Sequence, residues 1–190
     1  MEEPLFYKII RPIGKVVFDF IYKPNYKNLE NIPKTGKIIL AGNHTNFKDC
    51  LLLIASTKRV IHFMGKHTLF KGIKGYLFKM MAVIPVNRTI KDKACLDTAR
   101  EVLNNEQVIG IFPEGTINKT KNTIIPFKMG VIKLAFDTDS YIVPFTIKGK
   151  YKRKKTTINF GTPYQITSND LDFELKKLEE IIKEKLKNGE

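Results

Sequence analysis

The sequence predicts an α/β layered domain. Short apolar segments such as residues 37–41 and 107–112 have the length and composition of buried strands, and segments with helical periodicity lie between them. Strands that alternate with helices along a chain are typical of a sheet covered by helices. With 190 residues, of which 43% are apolar, the chain is long and apolar enough for one domain with a sizeable core.

The first element is a helix predicted over residues 5–22, LFYKIIRPIGKVVFDFIY. Its charged residues recur at helical spacing and therefore share one face: Lys8, Arg11, Lys15 and Asp19. The opposite face carries Leu5, Ile9, Ile13, Val16 and Phe20. Pro12 and Gly14 are expected to kink or divide the helix. The segment is either a terminal helix packed on the core, or an interfacial helix whose apolar face enters lipid while its basic residues meet phosphates.

The remaining elements follow from apolar runs and their periodicity. Strands are predicted at residues 37–41, 59–64, 82–86, 107–112, 141–147 and 156–166. Helices are predicted at residues 47–56, 91–103 and 127–136. A final helix is indicated by the apolar stripe Leu171, Leu175, Leu178, Ile182 and Leu186, preceded by the candidate caps Ser168, Asn169 and Asp170. Residues 1–24 are thus set apart as an N-terminal amphipathic segment, and residues 25–190 are expected to form the main domain.

The charge balance indicates an anionic partner. There are 33 Lys and Arg residues against 19 Asp and Glu, a formal net charge of +14. Such a surface attracts nucleic acid, a phospholipid surface or a phosphorylated substrate.

The two cysteines, Cys50 and Cys95, lack CxxC spacing, which favours a reducing compartment over a disulfide scaffold or a structural zinc site. Because the sequence has no run of about 18 apolar residues and no signal peptide, we expect a cytosolic chain, free or at the inner membrane face.

The stretch NHTNFKD, residues 43–49, places His44 and Asp49 directly after a predicted strand. A histidine acts as a general base when one ring nitrogen faces the substrate and the other donates a hydrogen bond to a fixed acceptor. A carboxylate at the start of the next helix can be that acceptor, since it fixes the tautomer and stabilises the imidazolium. On this spacing alone, the simpler interpretation is that Asp49 caps the helix and His44 is a polar loop residue.

Two further motifs lie at predicted strand ends. In FPEGT, residues 112–116, Gly115 permits close approach of the backbone to a ligand, and Glu114 is suited to hold substrate hydroxyls or a neighbouring base. The other motif, IPVNR, ends in Arg88, whose guanidinium can bind a phosphate through two hydrogen bonds. Taken singly, the first is also an ordinary glycine turn and the second an ordinary charged surface.

The order of the motifs carries a resemblance to a known family. NHTNFKD, IPVNR and FPEGT are followed by VPFTI at residues 143–147, and the sequence between them is also similar to that family. In this order and at these intervals the motifs resemble the glycerolipid acyltransferases, in particular the 1-acyl-glycerol-3-phosphate acyltransferases, over roughly residues 25–165. The resemblance implies a single layered domain with a central mixed sheet flanked by helices.

The resemblance also implies a reaction. A fatty acyl group would pass from a thioester, acyl-CoA or acyl carrier protein, to the free hydroxyl of a lysophospholipid, giving phosphatidic acid from 1-acyl-glycerol-3-phosphate. His44 would be the general base and Asp49 would orient it, without a covalent acyl-enzyme, a cofactor or a metal. The resemblance further implies that Arg88 binds the acceptor's phosphate, that Glu114 and Gly115 shape the acceptor site, and that Val143 and Pro144 line the acyl side. Apart from the resemblance, the candidate substrate-binding residues include Lys66 as a second cation, and also Asn43, Thr116 and Lys128. The protein would act peripherally at the cytoplasmic face of the cell membrane, on anionic lipid.

An oxyanion forms at the thioester carbonyl, and it needs hydrogen-bond donors. We expect those donors in the turn around Gly115.

Four positions depart from the family's usual pattern. Three are Asn46 for serine, Asn87 for aspartate and Ala82 for glycine. The fourth is Ile117, which stands where the family has an arginine associated with the acceptor's phosphate.

The loss of that arginine leaves two hypotheses for the acceptor. A lysine can substitute, although it lacks the planar fork of arginine, and the candidates are Lys119, Lys121 and Lys128. Alternatively, the acceptor is a lysolipid other than lysophosphatidic acid.

Other polar features have simpler interpretations. His62 and His67 have no partners at metal-ligand spacing and are expected to be structural, while Cys50 opens an apolar helix and is expected in the core. The basic run KGKYKRKK, residues 148–155, is a solvated loop or a contact for lipid head groups, CoA phosphates or an acidic carrier protein. No aromatic stacking pattern accompanies the charge, so nucleic acid is not expected. The competing class of function is a non-catalytic basic module that binds anionic lipid or nucleic acid.

Overall fold

The computed structural model describes residues 4–87, 89–90 and 92–188, and it is an α/β fold. The strands are β1 (Asn25–Lys27), β2 (Ile38–Gly42), β3 (Ile61–Lys66), β4 (Ile84–Val86), β5 (Val108–Ile111), β6 (Tyr141–Gly149) and β7 (Thr156–Phe160). The helices are α1 (Leu5–Tyr22), α2 (Asp49–Ser56), α3 (Gly72–Met80), α4 (Lys93–Asn104), α5 (Gly130–Thr138) and α6 (Leu171–Lys187). Short 3₁₀ helices cover Leu29–Asn31 and His67–Phe70.

The strands form one mixed sheet in the order β1-β7-β6-β2-β5-β3-β4. The five strands from β6 to β4 run parallel, whereas β7 pairs antiparallel with β6 and β1 pairs parallel with β7. In this register Ala41 of β2 lies between Ile111 of β5 and Pro144 of β6. The carboxyl ends of the parallel strands therefore share one edge, which is where α/β sheets place their ligands.

The sheet separates two hydrophobic cores. Successive residues of β2 alternate between them: Leu40 belongs to the core that includes α1 and α2, and Ile39 to the core that includes α4, α5 and α6. Every residue of β2 is buried, because helices cover both faces of the sheet. That double burial is why the central strands read as unbroken apolar runs in the sequence.

The predicted fold class, including the mixed sheet, is confirmed, and the differences are local. Of the two effects predicted for Pro12 and Gly14, a kink or a division, the division is wrong, because α1 is continuous from Leu5 to Tyr22. Pro12 lies on the exposed side, where water can replace the backbone hydrogen bond that proline removes. The last strand ends at Phe160, six residues earlier than predicted. β1 and α3 were not predicted; α3 contains two glycines, which weaken a helical pattern.

Helix α1 packs on the protein through a narrow strip. Tyr7 and Phe18 are buried, and the Tyr7 hydroxyl accepts a hydrogen bond from the Ile61 amide at 3.2 Å. Arg11 Nε donates to the carbonyl of Ile54 in α2 at 3.3 Å. The predicted apolar face points outward, and between 54% and 71% of each residue is exposed in the set Leu5, Ile9, Ile13, Val16 and Phe20. Within the described part of the chain, no helix is long and apolar enough to cross a membrane.

Candidate active site

The loop after β2 is fixed by close contact with β6. A side chain at Gly42 would collide with the Phe145 carbonyl oxygen, so only glycine allows the two strands to approach this closely. The next residue, Asn43, is 2% exposed, and its amide donates to the Ile147 carbonyl at 2.9 Å and accepts from the Ile147 N–H at 2.8 Å. Both polar ends of Asn43 are thus engaged by backbone, and the residue fixes the chain just before His44.

His44 and Asp49 form a hydrogen-bonded pair, with 2.9 Å between Nδ1 and Oδ2. The Asp49 carboxylate is fully buried and also accepts the N–H groups of Thr45 at 2.6 Å and Asn46 at 2.8 Å, while the Tyr151 hydroxyl donates to its other oxygen. An ionised carboxylate only accepts, so Nδ1 carries the proton and Nε2 is the basic nitrogen. The carboxylate turns back to the preceding loop instead of capping α2, which excludes the simple helix-cap interpretation.

The backbone and ring of His44 are held from three further directions. Its N–H donates to Glu114 Oε1 at 2.7 Å, and its carbonyl accepts from the Asn118 N–H at 2.8 Å. The Phe112 ring stacks on the imidazole, with 3.9 Å between centroids and 16° between planes. The imidazole side chain is 14% exposed. His44 is therefore rigidly placed, with one edge open to a substrate.

Glu114 of the FPEGT motif acts on the backbone. It is 2% exposed, and while Oε1 binds the His44 amide, Oε2 accepts the Ile125 N–H at 3.0 Å. One carboxylate thus joins the loop after β2, the turn after β5 and the segment that leads to α5. Of the two roles considered for Glu114, the contacts match support of the neighbouring base.

The turn at Gly115 carries a lysine beside it. Gly115 has φ of +69°, and a Cβ there would lie 2.8 Å from both Cε and Nζ of Lys128. The Lys128 N–H donates to the Pro113 carbonyl at 2.9 Å, which ties the lysine to the same turn. The Gly115 N–H donates to the Phe112 carbonyl at 2.9 Å and closes the turn, and the location of the oxyanion donors around this turn stays a prediction. Thr116 is exposed next to this turn.

The other predicted substrate residues are distributed differently. Lys66 is exposed at the carboxyl end of β3, where it pairs with Val86 of β4. Arg88, two residues beyond β4, lies outside the described residues. Val143 and Pro144 are buried in β6, and adjacent strand residues face opposite sides of the sheet. They build the sheet beneath the site and do not meet at one surface.

One cavity lies away from the His44–Asp49 pair. A cavity of about 610 Å³ lies at the amino ends of β2 and β6, lined in part by Gly36, Glu106 and Tyr141. The residues that line it include neither His44 nor Asp49. The candidate site therefore lies at the carboxyl edge of the parallel strands, away from this cavity.

Three supporting residues had no predicted role: Phe112, Asn118 and Tyr151. Phe112 was visible as the aromatic residue that opens FPEGT, but nothing local indicates that it stacks on His44.

Cys50, next to Asp49, is unsuited to act as a nucleophile, because burial and then the Asp49 charge raise the pKa of its thiol to about 12.

Comparison with known proteins places the chain in a family. Residues 23–148 match the acyltransferase family model. The 1-acyl-sn-glycerol-3-phosphate acyltransferase of Borreliella burgdorferi is 35% identical over 162 residues, which cover 83% of this chain and 64% of that protein. The corresponding enzyme of Bacillus subtilis is 28% identical over 166 residues, covering 83% of this chain and 81% of that protein.

A chloroplastic relative, LPAT1 of Arabidopsis thaliana, is 32% identical over 135 residues, covering 69% of this chain and 37% of that protein. The chain thus spans less than two thirds of the length of the Borreliella and Arabidopsis proteins. The crystal structure of the 1-acyl-sn-glycerophosphate acyltransferase of Thermotoga maritima superposes with a TM-score of 0.78 at 23% identity, over 96% of this chain and 78% of that one, which shows a shared fold. The match over residues 23–148 establishes that the chain belongs to the acyltransferase family.

Proposed function

We propose that the chain transfers a fatty acyl group from a thioester to the free hydroxyl of a lysophospholipid, with 1-acyl-glycerol-3-phosphate as the leading acceptor and phosphatidic acid as its product. The observation that carries the proposal is the His44–Asp49 pair, in which Nδ1 is engaged by a buried carboxylate and Nε2 is the basic nitrogen. The relatives named 1-acyl-sn-glycerol-3-phosphate acyltransferases support the choice of acceptor.

The proposed reaction is direct transfer. His44 Nε2 takes the proton of the acceptor hydroxyl while the oxygen attacks the thioester carbonyl. The C–O bond forms, the C–S bond breaks, and the departing thiolate receives the proton from the imidazolium. A positioned general base of this kind contributes roughly 10²–10⁴-fold to the rate. Asp49 holds the tautomer and stabilises the imidazolium, so no metal or cofactor enters the scheme.

The acceptor's phosphate is assigned to cations near this edge of the sheet. Lys128 is the best-placed candidate to replace the missing arginine at Ile117, because its ammonium lies across the Gly115 turn and the adjoining Glu114 binds the His44 backbone. Lys66, at the end of β3, is a second cation. A lysine is a point charge without the bidentate geometry of arginine. The absence of an arginine at Ile117 is the observation behind the alternative hypothesis, in which the acceptor is a lysolipid other than lysophosphatidic acid.

The membrane is the proposed source of the acceptor, contacted peripherally from the cytoplasmic side. The exposed apolar face of α1 supplies the hydrophobic contact, and the basic loop of residues 150–155 lies at its carboxyl end. Arg153 donates to the Phe20 carbonyl at 3.0 Å, and its guanidinium lies 5.8 Å from the centroid of the exposed Phe20 ring. Cations beside an apolar face are the combination that anionic membranes attract.

A transfer assay tests the proposal. Purified protein is supplied with acyl-CoA or acyl carrier protein thioesters and with lysolipids with and without a phosphate. We expect His44→Ala to lower the rate at least about 10²-fold while vesicle binding is retained. The exposed histidine His67 provides the control, and His67→Ala is expected to keep the wild-type rate.

The possible outcomes separate the hypotheses. Near-normal transfer by His44→Ala would show that the general-base assignment is wrong. Turnover on a phosphate-free lysolipid that equals or exceeds turnover on lysophosphatidic acid would favour the alternative acceptor. Vesicle binding without transfer from either donor to any acceptor would indicate a non-catalytic lipid-binding module.

A further inference from the structure

We propose that Tyr151 is a positioning residue for the His44–Asp49 pair, acting through the second oxygen of Asp49; this inference rests on the acyl transfer proposed above. Tyr151 lies in the basic loop between β6 and β7, 102 residues beyond Asp49. Its hydroxyl crosses from that loop to Asp49 Oδ1. The basic loop thus contributes an uncharged group to the site in addition to its cations.

The two oxygens of Asp49 accept different numbers of hydrogen bonds. Oδ2 accepts three donors between 2.6 and 2.9 Å: His44 Nδ1 and the N–H groups of Thr45 and Asn46. Among the described residues, the close donor to Oδ1 is the Tyr151 hydroxyl, since Thr45 Oγ1 is 3.4 Å away. Without Tyr151, Oδ1 would lack a close hydrogen-bond donor. Because the carboxylate is fully buried, water would not replace that donor, and the unpaired oxygen would cost free energy.

The phenol is suited to this task because it stays protonated. Burial, followed by the charge of Asp49, raises the pKa of Tyr151 far above its ordinary value. The hydroxyl therefore donates at every pH at which such an enzyme works. By holding Oδ1, it prevents rotation of the carboxylate, which keeps Oδ2 aimed at His44 Nδ1.

The ring of Tyr151 is seated on α1. It packs edge-on against Phe18 and Tyr22, with centroid distances of 6.3 and 5.8 Å. The same loop is fixed to the end of α1 because the Lys154 N–H donates to the Tyr22 carbonyl at 2.7 Å. The position of the hydroxyl consequently depends on α1 being docked, which links the geometry of the pair to the helix proposed to meet lipid.

The test is Tyr151→Phe, which keeps the ring and removes only the hydroxyl. The control is Tyr141→Phe, which removes the hydroxyl of an exposed tyrosine at the amino end of β6, away from α1 and from the loop that carries Tyr151. We expect Tyr151→Phe to lower kcat about tenfold with unchanged KM, as loss of one hydrogen bond to a charged group implies. We expect Tyr141→Phe to keep the wild-type kcat.

Two further measurements identify the route through Asp49. In an Asp49→Asn background, adding Tyr151→Phe is expected to change kcat less than about twofold, since the coupled partner is already lost. In proton NMR, the resonance of the His44 Nδ1 proton, identified by its absence in His44→Ala, is expected to shift in Tyr151→Phe and not in Tyr141→Phe. This spectroscopic readout does not depend on turnover.

Several results would overturn the inference. Wild-type kcat with an unmoved resonance in Tyr151→Phe would do so, as would an equal loss in both tyrosine variants or a full tenfold loss in the Asp49→Asn background. If His44→Ala abolishes transfer and Tyr151→Phe does not alter it, this inference alone fails. If His44→Ala keeps its activity, the proposed function fails instead.

Discussion

The two terminal helices, α1 and α6, are both amphipathic but are used in opposite ways. In α6 the apolar stripe faces the core, where Leu178 and Ile182 are fully buried. In α1 the equivalent stripe faces outward, and Phe20 is 71% exposed. The inward side of α1 is mixed, with buried Tyr7 beside polar groups that bond to the protein. A hydrophobic stripe therefore identifies a helix as amphipathic without saying what covers its apolar face.

Polar contacts distinguish the two cases. On α1 the charged face is turned toward the protein, so Arg11 reaches α2 and Asp19 accepts the Tyr26 hydroxyl at 2.6 Å. On α6 the buried Glu174 accepts backbone N–H groups from Thr167 and Ser168, at 3.4 and 3.3 Å, in the loop that precedes the helix. The difference is the side on which the contacts lie: Glu174 shares the buried side of α6 with Leu178, whereas the polar contacts of α1 lie opposite its exposed apolar face.

The largest contrast is expected in stability. Leu178→Ala in α6 removes a fully buried side chain and should lower the free energy of unfolding by about 2–5 kcal/mol. Ile13→Ala in α1 removes one that is 58% exposed and should change it by less than about 0.5 kcal/mol. Denaturant titration of both variants measures the difference. Comparable losses would mean that the outward face of α1 is covered by protein after all.

An intermediate contrast is expected in membrane binding. Phe20→Ser should weaken binding to anionic vesicles at least about tenfold, since burial of a phenylalanine contributes about 1.5–3 kcal/mol. Phe173→Ser in α6 is the matched control, because Phe173 is 57% exposed but lies on the other helix. Vesicle co-sedimentation measures both. An equal decrease for the two variants would show that the apolar face of α1 is not the surface that binds the membrane.

The smallest contrast lies in the first turns of the two helices. Asp170 accepts the Phe173 N–H at 3.0 Å and caps α6, so Asp170→Ala should cost about 1 kcal/mol of stability. The cap position of α1 is Pro4, which makes no side-chain cap hydrogen bond, and Pro4→Ala should cost less than about 0.5 kcal/mol. Thermal unfolding of the pair resolves the difference. A larger loss of stability in Pro4→Ala than in Asp170→Ala would show that the start of α1, and not the Asp170 cap, is the more important of the two.

Local signals in the sequence were sufficient for the fold and for part of the site. Apolar runs located the central strands, and the motifs after β2 and β5 meet because those strands are neighbours in the sheet. The contact of His44 with Asp49 was within reach because it spans a single loop. The Asp170 cap was also visible from its position before an amphipathic run.

Long-range contacts lay beyond such reasoning. Tyr151 reaches Asp49 across 102 residues, and Asn43 binds Ile147 across 104, so no spacing in the chain announces either contact. Val143 and Pro144 are adjacent in a strand buried on both faces and therefore face opposite sides of the sheet, which no local pattern indicated; their assignment to the acyl side stays a prediction. The outward orientation of α1 is likewise set by tertiary contacts.

The distance along the chain between Asp49 and Tyr151 has a consequence for biosynthesis. At about 5–20 residues per second, roughly 5–20 s separate the emergence of the two residues from the ribosome, which are 102 positions apart. Over that interval the nascent chain already contains the residues of α1, with the apolar side chains that the folded protein leaves exposed, but Asp49 still lacks its Tyr151 partner. Completion of the hydrogen bonds around Asp49 therefore waits for the loop between β6 and β7.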